Sequence, residues 1–188
     1  KSYEKVESAR MLNSSEFTIN NQMGFVSLNS SLTNDEVLAV AFQYTYNGKT
    51  YQVGEFSNNG ISSPNALIIK LLKSTEINTT LPTWDLMMKN VYSIGSYNIQ
   101  QMGFKFNVLY KDPEIGTPAN YLKEGIQGVV KGVPLLEVFN LDGLNAQLDP
   151  QPDGVFDFIN GVTINASRGR IYFPVLEPFG QYLEDKIT

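Results

Sequence analysis

Short runs of alternating apolar and polar residues, rich in Val, Ile, Thr, Tyr and Phe, recur along this chain and constrain its fold more than any other feature. A period of two places alternate side chains on opposite faces of an extended strand. Asn, Gly and Pro interrupt the runs every few residues, and these residue types favour turns. The pattern predicts a mainly β fold, either a β-sandwich or a mixed β-sheet.

One hairpin is predicted with particular clarity. Residues 37–46 form a long run typical of a strand, and residues 49–56 form a second run. Between them lie Asn47 and Gly48, which both tolerate the positive φ that a two-residue hairpin turn requires. We therefore expect two antiparallel strands joined at this turn.

Two distant segments repeat one pattern, at residues 18–28 and 163–173. Each reads Thr-Ile-Asn, three residues, Gly, and then an apolar residue at the second and fourth positions after the Gly. Both copies predict a strand, a four-residue turn that ends at Gly24 or Gly169, and a second strand. Any hairpin with this loop length favours Gly there, so turn chemistry is preferred to an internal duplication as the explanation.

One short α-helix is expected near residues 83–93. Thr83 can cap its start, Asp85 suits the positive N-terminal end, and Gly95 lies just beyond its end. Its pattern predicts helix from Thr83 to Tyr92.

The remaining elements are predicted from shorter patterns. Residues 66–73 indicate a strand buried on both faces for most of its length, and residues 97–110 a strand pair or one bent strand with a turn or bulge at Gly103. Residues 111–134, rich in Gly and Pro, predict a loop-dominated connection. Residues 135–140 predict a short strand or a single helical turn.

A chain of 188 residues is long enough to bury a substantial core. We expect one β-rich soluble domain over residues 1–188, or two lobes at 1–60 and 61–188. No apolar run approaches the length of about 18 residues that spans a bilayer, and the longest, at residues 66–72, contains Lys70. The chain begins with Lys1 and carries no signal peptide, so we interpret it as a piece of a longer protein.

Charge and residue usage exclude several function classes. Lys and Arg number 14 against 19 Asp and Glu, and the net charge of −5 argues against nucleic acid and anionic membrane surfaces as partners. The chain has no cysteine and no histidine. A Ser-His-Asp triad, a Cys nucleophile, a His general base and the usual zinc sites are therefore excluded, and we expect neither an enzyme nor a bound cofactor.

Asp149, Asp153 and Asp157 are weak candidates for calcium ligands, with Asp142 and Asn145 nearby. Their spacing is not that of an EF-hand loop, and two prolines stiffen the positions between them. The alternative is turn chemistry, in which the first two aspartates shape turns and Asp157 begins the next strand. Both interpretations stay open at this point.

Two further interpretations concern the acidic and aromatic residues. One of the same aspartates, with Asp157 as the one to test, could act together with Glu177 as the acid and nucleophile of a glycosidase, which requires both carboxyls to face one cleft. Aromatic side chains could stack on sugar rings, although aromatics in strands more often form cross-strand core pairs. These aromatics are Trp84 and the tyrosines at 44, 46, 51, 92, 97, 110, 121, 172 and 182.

Several segments of the chain resemble the SprA/Sov family. They are Val-Glu-Ser-Ala-Arg at 6–10, Asp-Glu-Val-Leu-Ala-Val-Ala at 35–41, Tyr-Gln-Val-Gly-Glu-Phe at 51–56, the run with Trp84 at 81–93, and the run at 148–180. The last run joins Asp-Pro-Gln-Pro-Asp-Gly to Pro-Val-Leu-Glu-Pro-Phe-Gly. The resemblance covers nearly the whole chain and is weakest at residues 111–134.

Members of that family are very large proteins of the cell outer membrane that serve type IX secretion and gliding motility. The resemblance implies that this chain is a non-catalytic structural or recognition domain, excised from a protein-export translocon. Its partners would be the rest of the translocon barrel, partner subunits and secreted cargo proteins. The domain would be extracytoplasmic, on the cell surface or on the periplasmic side, and would not itself span the membrane.

A function from another class stays open beside this one. A calcium-dependent carbohydrate-binding β-sandwich would use the same aspartates and aromatics, and a glycoside hydrolase is a third, weaker alternative.

Overall fold

A computed structural model describes residues 3–21, 24–57, 61–62, 64–113 and 116–188. The chain is mainly β with three short helices, which confirms the predicted fold class. It divides into two compact units, Lys1–Met87 and Met88–Thr188. The border at Met87 lies well beyond residue 60, where the two-lobe alternative placed it.

In the first unit, the described residues form six strands and one helical turn. The strands are β1 (Phe17–Asn20), β2 (Phe25–Leu28), β3 (Leu38–Val40), β4 (Phe42–Tyr46), β5 (Lys49–Val53) and β6 (Lys70–Lys73), and the helix is α1 (Pro82–Asp85). They pair antiparallel as β1 with β2, β3 with β6, and β4 with β5.

The β4–β5 hairpin confirms the prediction from Asn47 and Gly48. Their φ angles are 49° and 73°, as a two-residue turn with both φ positive requires. The single long strand expected over residues 37–46 is wrong, because the run breaks at Ala41. On one side of the break β3 pairs with β6, and on the other β4 pairs with β5.

The predicted strand at 66–73 and the helix near 83–93 are shorter than expected. Among residues 66–73, β6 covers only Lys70–Lys73, and Ile68 is 73% exposed, so the expected burial on both faces is wrong. The helix starts with Pro82 at its first turn and ends at Asp85. Residues 91–93, expected to lie at its end, form a strand instead.

The part of the second unit that the structure describes contains six strands and two short helices. The strands are β7 (Val91–Ser93), β8 (Tyr110–Lys111), β9 (Pro118–Ala119), β10 (Leu122–Gln127), β11 (Ile164–Asn165) and β12 (Arg170–Tyr172), and the helices are α2 (Leu135–Val138) and α3 (Gln181–Ile187). An antiparallel sheet has the order β11-β12-β7, β8 pairs with β9, and both ends of β10 bridge to Lys131.

Long-range pairing explains why α1 stops where it does. The backbone N–H of Phe173 donates to the carbonyl of Asn90 at 2.8 Å, and the Asn90 amide donates back to the Phe173 carbonyl at 3.1 Å. These bonds continue the β7–β12 ladder. A helical pattern of ten residues is marginal by itself, so a strand partner elsewhere in the chain outweighs it.

The other predictions for this unit are mixed. Residues 135–140 contain the helical turn α2, which confirms one of the two alternatives given for them. Gly103 lies in a turn with φ of 78°, as expected, but among residues 97–110 only Tyr110 enters a strand, so the predicted strand pair is wrong. Residues 111–134, expected to be mostly loop, contain β9 and β10.

The buried apolar core lies in the second unit. It consists of Leu122, Val130, Leu135, Leu136, Val138, Phe139, Leu141, Phe156, Ile164, Ile171 and Phe173. Phe139 contacts Phe173 edge to face at 5.6 Å between ring centroids. In the first unit, Ser74 is the one buried residue among those that the structure describes.

The two repeated segments both fold as the predicted hairpin and share one register. Ile19 lies opposite Val26 in the first copy, and Ile164 lies opposite Ile171 in the second. Their surroundings differ, because Ile19 is 58% exposed whereas Ile164 is 0% exposed. The same local pattern therefore forms in two different environments.

The two hairpin glycines give a matched pair for mutation. Both have positive φ, 71° at Gly24 and 56° at Gly169, but a Cβ at Gly169 would lie 1.6 Å from the carbonyl oxygen of Ser96 while a Cβ at Gly24 meets nothing within 4 Å. We expect Gly24→Ala to cost about 1 kcal/mol and Gly169→Ala at least about 3 kcal/mol, because the second also displaces backbone. Amide hydrogen exchange at Ile19 and Ile164 measures both costs, and equal values would contradict the close approach at Ser96.

An ion pair organises the start of the first unit. The Arg10 guanidinium donates to both oxygens of Glu16, at 2.9 and 2.7 Å, and the Asn13 backbone N–H donates to the same carboxylate at 2.8 Å. Hydrogen bonds from Arg10 and then from Asn13 hold the pKa of Glu16 down, from an ordinary 4.5 to about 2.

This arrangement gives a prediction with a defined sign. A depressed folded-state pKa stabilises the fold above pH 4.5, and this contribution disappears as the pH falls through about 2. We expect Arg10→Gln to raise the pKa of Glu16 toward its ordinary value, as measured by NMR titration of the carboxyl carbon. Lys5→Gln, which removes the same charge elsewhere, should leave the pKa low; a low pKa in Arg10→Gln would contradict the assignment.

Candidate recognition surfaces

The β4–β5 hairpin has one aromatic face and one polar face. Its register places Phe42 opposite Val53, Tyr44 opposite Tyr51, and Tyr46 opposite Lys49. The intervening positions pair Gln43 with Gln52 and Thr45 with Thr50, and these side chains point the other way because strand residues alternate. We call Phe42, Tyr44, Tyr46 and Tyr51 the tyrosine face.

The tyrosine face is open to solvent. The exposed fractions are 42% for Phe42, 48% for Tyr44, 63% for Tyr46 and 41% for Tyr51. The Tyr44 and Tyr51 rings stack at 5.1 Å with 16° between their planes, and the Phe42 ring lies 6.2 Å from Tyr44. The rings of Phe42, Tyr44 and Tyr51 thus form one exposed aromatic patch.

The sequence predicted the pairing of these tyrosines but not their exposure. Tyr44 and Tyr51 do form a cross-strand aromatic pair, as strand aromatics usually do. They do not take the core position that is the more frequent one for strand aromatics, because every residue of β4 is exposed. The sequence contains one signal of this exposure. Gln and Thr alternate with the aromatic residues in both strands, so the hairpin has only one apolar face.

We call residues 142–157 of the second unit the acidic segment. Two of its carboxylates accept hydrogen bonds from backbone N–H groups. Asp142 is 2% exposed, and its two oxygens accept from the N–H groups of Asp153 at 3.0 Å and Gly154 at 2.9 Å. One oxygen of Asp157 accepts from Gly143 at 2.7 Å and from Leu144 at 3.2 Å. The two carboxylates thus hold the segments around 143 and 154 in place.

The three calcium candidates take different places in this arrangement. Asp157 binds the backbone as described, Asp153 accepts from the Val155 N–H at 3.0 Å, and Asp149 is exposed, with its own N–H donating to the Asn145 side chain at 3.0 Å. Within the described ranges, no three acidic side chains gather into a metal-sized group. The bonds made by Asp153 and Asp157 are those of turn chemistry, and calcium binding stays a prediction.

The proposed glycosidase pair has separate partners. Glu177 forms an ion pair with Lys89, whose side chain is 16% exposed, while Asp157 accepts from backbone N–H groups. The structure thus gives each carboxylate its own structural contact.

The remaining aromatics lie in four different environments. Trp84 is half-buried in α1. Tyr92 contacts Phe173 edge to face at 5.4 Å, and burial raises the pKa of its phenol. The Tyr182 hydroxyl donates to the Val138 carbonyl at 2.8 Å. Tyr97 is exposed and Tyr172 is half-buried, whereas Tyr110 and Tyr121 line a cavity.

That cavity is an open groove in the second unit beside strands β8 and β9, with a volume of about 640 Å³. We call it the β8–β9 groove. The described residues that line it are Asn107, Leu109, Tyr110, Asp112, Thr117, Pro118, Ala119, Asn120, Tyr121 and Lys123. None of them was singled out from the sequence except the two tyrosines.

No protein-family model matches this chain, and no curated protein sequence matches it. Of the helices that the structure describes, none is long and apolar enough to span a lipid bilayer.

The buried carboxylate of Asp142 gives a prediction about the acidic segment. Asp142→Asn replaces one acceptor oxygen by an amide that cannot accept, so one backbone N–H of Asp153 or Gly154 loses its partner. We expect a loss of about 2 kcal/mol in unfolding free energy, measured by urea denaturation. Asp149→Asn, at an exposed position, should change it by less than about 0.5 kcal/mol. Equal effects would contradict the structural role of Asp142.

The wild-type protein and the Asp149→Asn variant also test calcium binding. We expect the wild-type melting temperature to be equal in calcium chloride and in EDTA if the aspartates act through backbone bonds alone. A rise in calcium that Asp149→Asn abolishes would instead support a calcium site.

Proposed function

We propose that this chain is a non-catalytic recognition domain of a protein-export translocon in the outer membrane, of the kind that serves type IX secretion and gliding motility. One observation carries the proposal. The first unit buries no apolar side chain among its described residues, yet it presents the tyrosine face to solvent. A unit that lacks its own core gains stability when another protein surface covers its apolar side chains.

The exposed apolar surface of this unit extends beyond the hairpin. Its exposed large apolar residues are Tyr3, Val6, Met11, Ile19, Val26, Phe42, Tyr44, Tyr46, Tyr51, Phe56, Ile61, Ile68, Ile77, Leu86 and Met87. Single exposed apolar residues are common, but the tyrosine face is contiguous. Such a surface suits a protein partner better than a small ligand.

The resemblance to the SprA/Sov family supports the choice of assembly. Its strongest elements are the run at residues 81–93 with Trp84 and the run at 148–180. It suggests the rest of the translocon barrel, partner subunits and secreted cargo as partners, and an extracytoplasmic location at the outer membrane.

Tyrosine suits this kind of recognition. Its ring supplies a large contact area with few rotatable bonds to fix, and its hydroxyl can bond to a partner or to water. On the other face of the hairpin, the Gln43 amide donates to the Gln52 side chain at 3.2 Å. We therefore assign partner contact to the tyrosine face and solvent contact to the glutamine face.

The test uses the full-length parent protein. We expect Tyr44→Ser combined with Tyr51→Ser to reduce cargo secretion at least about tenfold, because central aromatic contacts dominate interface energies. Gln43→Ser combined with Gln52→Ser changes the opposite face of the same hairpin and should leave secretion unchanged. Immunoblots of outer-membrane fractions check that each parent variant is present.

Deletion of residues 1–188 from the parent completes the test. Normal secretion by the deleted parent, with the protein still in the outer membrane, would refute the proposal. A parent chain of only a few hundred residues would also refute it, since the family resemblance implies a very large protein. Calcium-dependent binding of the chain to specific sugars on a glycan array would favour the carbohydrate-binding alternative.

A further inference from the structure

The chain contains three Asn-Gly pairs, at 47–48, 59–60 and 160–161. The first forms the turn of the β4–β5 hairpin and the third directly precedes the last hairpin, while the second lies outside the described residues. Both residues of the first and of the third pair are exposed to solvent. A glycine has no Cβ to shield its backbone nitrogen, so the asparagine side chain before it can approach that nitrogen and react with it.

The reaction between the two groups is closure of a cyclic imide. The backbone nitrogen of Gly48 attacks Cγ of Asn47, a new C–N bond forms, and the Cγ–Nδ2 bond breaks. The side-chain nitrogen leaves as ammonia and takes the proton of the backbone amide with it. Water then opens the ring at one of its two carbonyls. Opening at the side-chain carbonyl gives aspartate, and opening at the main-chain carbonyl gives isoaspartate, in which the main chain runs through the former side chain.

The structure holds both reacting groups of the pair in the second unit. The Gly161 N–H donates to the carbonyl of Ile164 at 2.7 Å, and Oδ1 of Asn160 accepts from the Ala166 N–H at 3.0 Å. Ile164 is 0% exposed, so the core anchors this turn. Imide closure at Asn160 therefore requires two hydrogen bonds to break next to packed structure, which raises its barrier.

The pair in the first unit lies in a turn with far weaker restraints. The ladder of the hairpin ends with Tyr46 opposite Lys49, so the two turn residues lie beyond it. Within the described ranges, neither the Asn47 carboxamide nor the Gly48 N–H makes a hydrogen bond. Every residue of β4 is exposed, and a two-stranded hairpin without a packed face is marginally stable, so its turn opens at low cost. Asn47 is therefore the more reactive of the two asparagines.

Isoaspartate at this position changes the hairpin that carries the tyrosine face. It adds one carbon to the main chain of a turn whose two residues have φ of 49° and 73°. The register that places Tyr44 opposite Tyr51 depends on this two-residue turn. We propose that Asn47 is a site of spontaneous modification, at which conversion to isoaspartate separates the Tyr44 and Tyr51 rings and so limits the lifetime of the tyrosine face. Its effect on a partner rests on the proposed function, whereas the modification and the loss of the stack do not.

The experiment ages the intact chain in neutral buffer and maps deamidation by mass spectrometry. Cleavage by trypsin after Lys49, Lys70 and Lys131 places the three Asn-Gly pairs in separate peptides, and fragment ions locate the modified residue and distinguish isoaspartate from aspartate. We expect Asn47 to react at least about tenfold faster than Asn160, because two hydrogen bonds must break at the second site. The rate should rise with hydroxide concentration, since the attacking nitrogen must lose its proton.

A second measurement follows the tyrosine face itself. Nuclear Overhauser effects between the Tyr44 and Tyr51 rings report their stack, and we expect them to decrease in proportion to the isoaspartate at position 47. The matched control is Asn47→Gly. A Gly-Gly turn still permits positive φ at both positions but has no carboxamide to react, so this variant should keep the ring contacts after the same ageing. The comparison of Asn47 with Asn160 uses the wild-type chain alone and does not depend on the folding of any variant.

Three results would overturn the proposal. They are equal rates of deamidation at Asn47 and Asn160, intact contacts between the Tyr44 and Tyr51 rings in chains that carry isoaspartate at position 47, and equal loss of these contacts in aged Asn47→Gly. None of these measurements involves secretion. The export proposal is decided separately by the tyrosine variants of the parent protein, so its failure and the failure of this inference are distinguished.

Discussion

Burial of two isoleucines across one short hairpin is the interaction on which the second unit depends. Ile164 and Ile171 face each other with 0% exposure, although β11 has two residues and β12 has three. Strands this short are not stable alone, so packing must supply what the ladder cannot. Gly169 lets the turn approach the carbonyl of Ser96, and the carbonyl of Gly169 accepts from the Ile94 N–H at 2.9 Å. These contacts connect the hairpin to the residues that directly follow β7.

The hairpin with the same pattern in the first unit shows what such packing contributes. Its register is the same, but Ile19 stays 58% exposed. Loop length and the glycine specify the turn in both copies, whereas burial depends on what the rest of the chain brings to each face. The exposed aromatics of this unit are therefore the physical basis for proposing a partner that covers them.

The two candidate surfaces differ in chemistry. The tyrosine face is a flat aromatic patch backed by a polar face, which suits a protein partner. The β8–β9 groove is concave, and two tyrosines and the Asp112–Lys123 ion pair are among the described residues that line it. The acidic segment is a third kind of feature, because Asp142 and Asp157 fix backbone N–H groups and so maintain the fold.

The mainly β class, the turn at Asn47 and Gly48 and the register of both repeated hairpins follow from the amino-acid sequence, which for residues 135–140 left a strand and the helical turn of α2 as alternatives. These depend on φ preferences and on alternation within a few residues, which local sequence contains. The tertiary structure alone decided the break at Ala41, the end of α1 at Asp85, the exposure of the tyrosine face and the existence of the groove. Each of these depends on which distant segment pairs or packs at a given place. A local pattern does not specify that partner, because hydrophobic contact is non-directional and many segments offer similar strands.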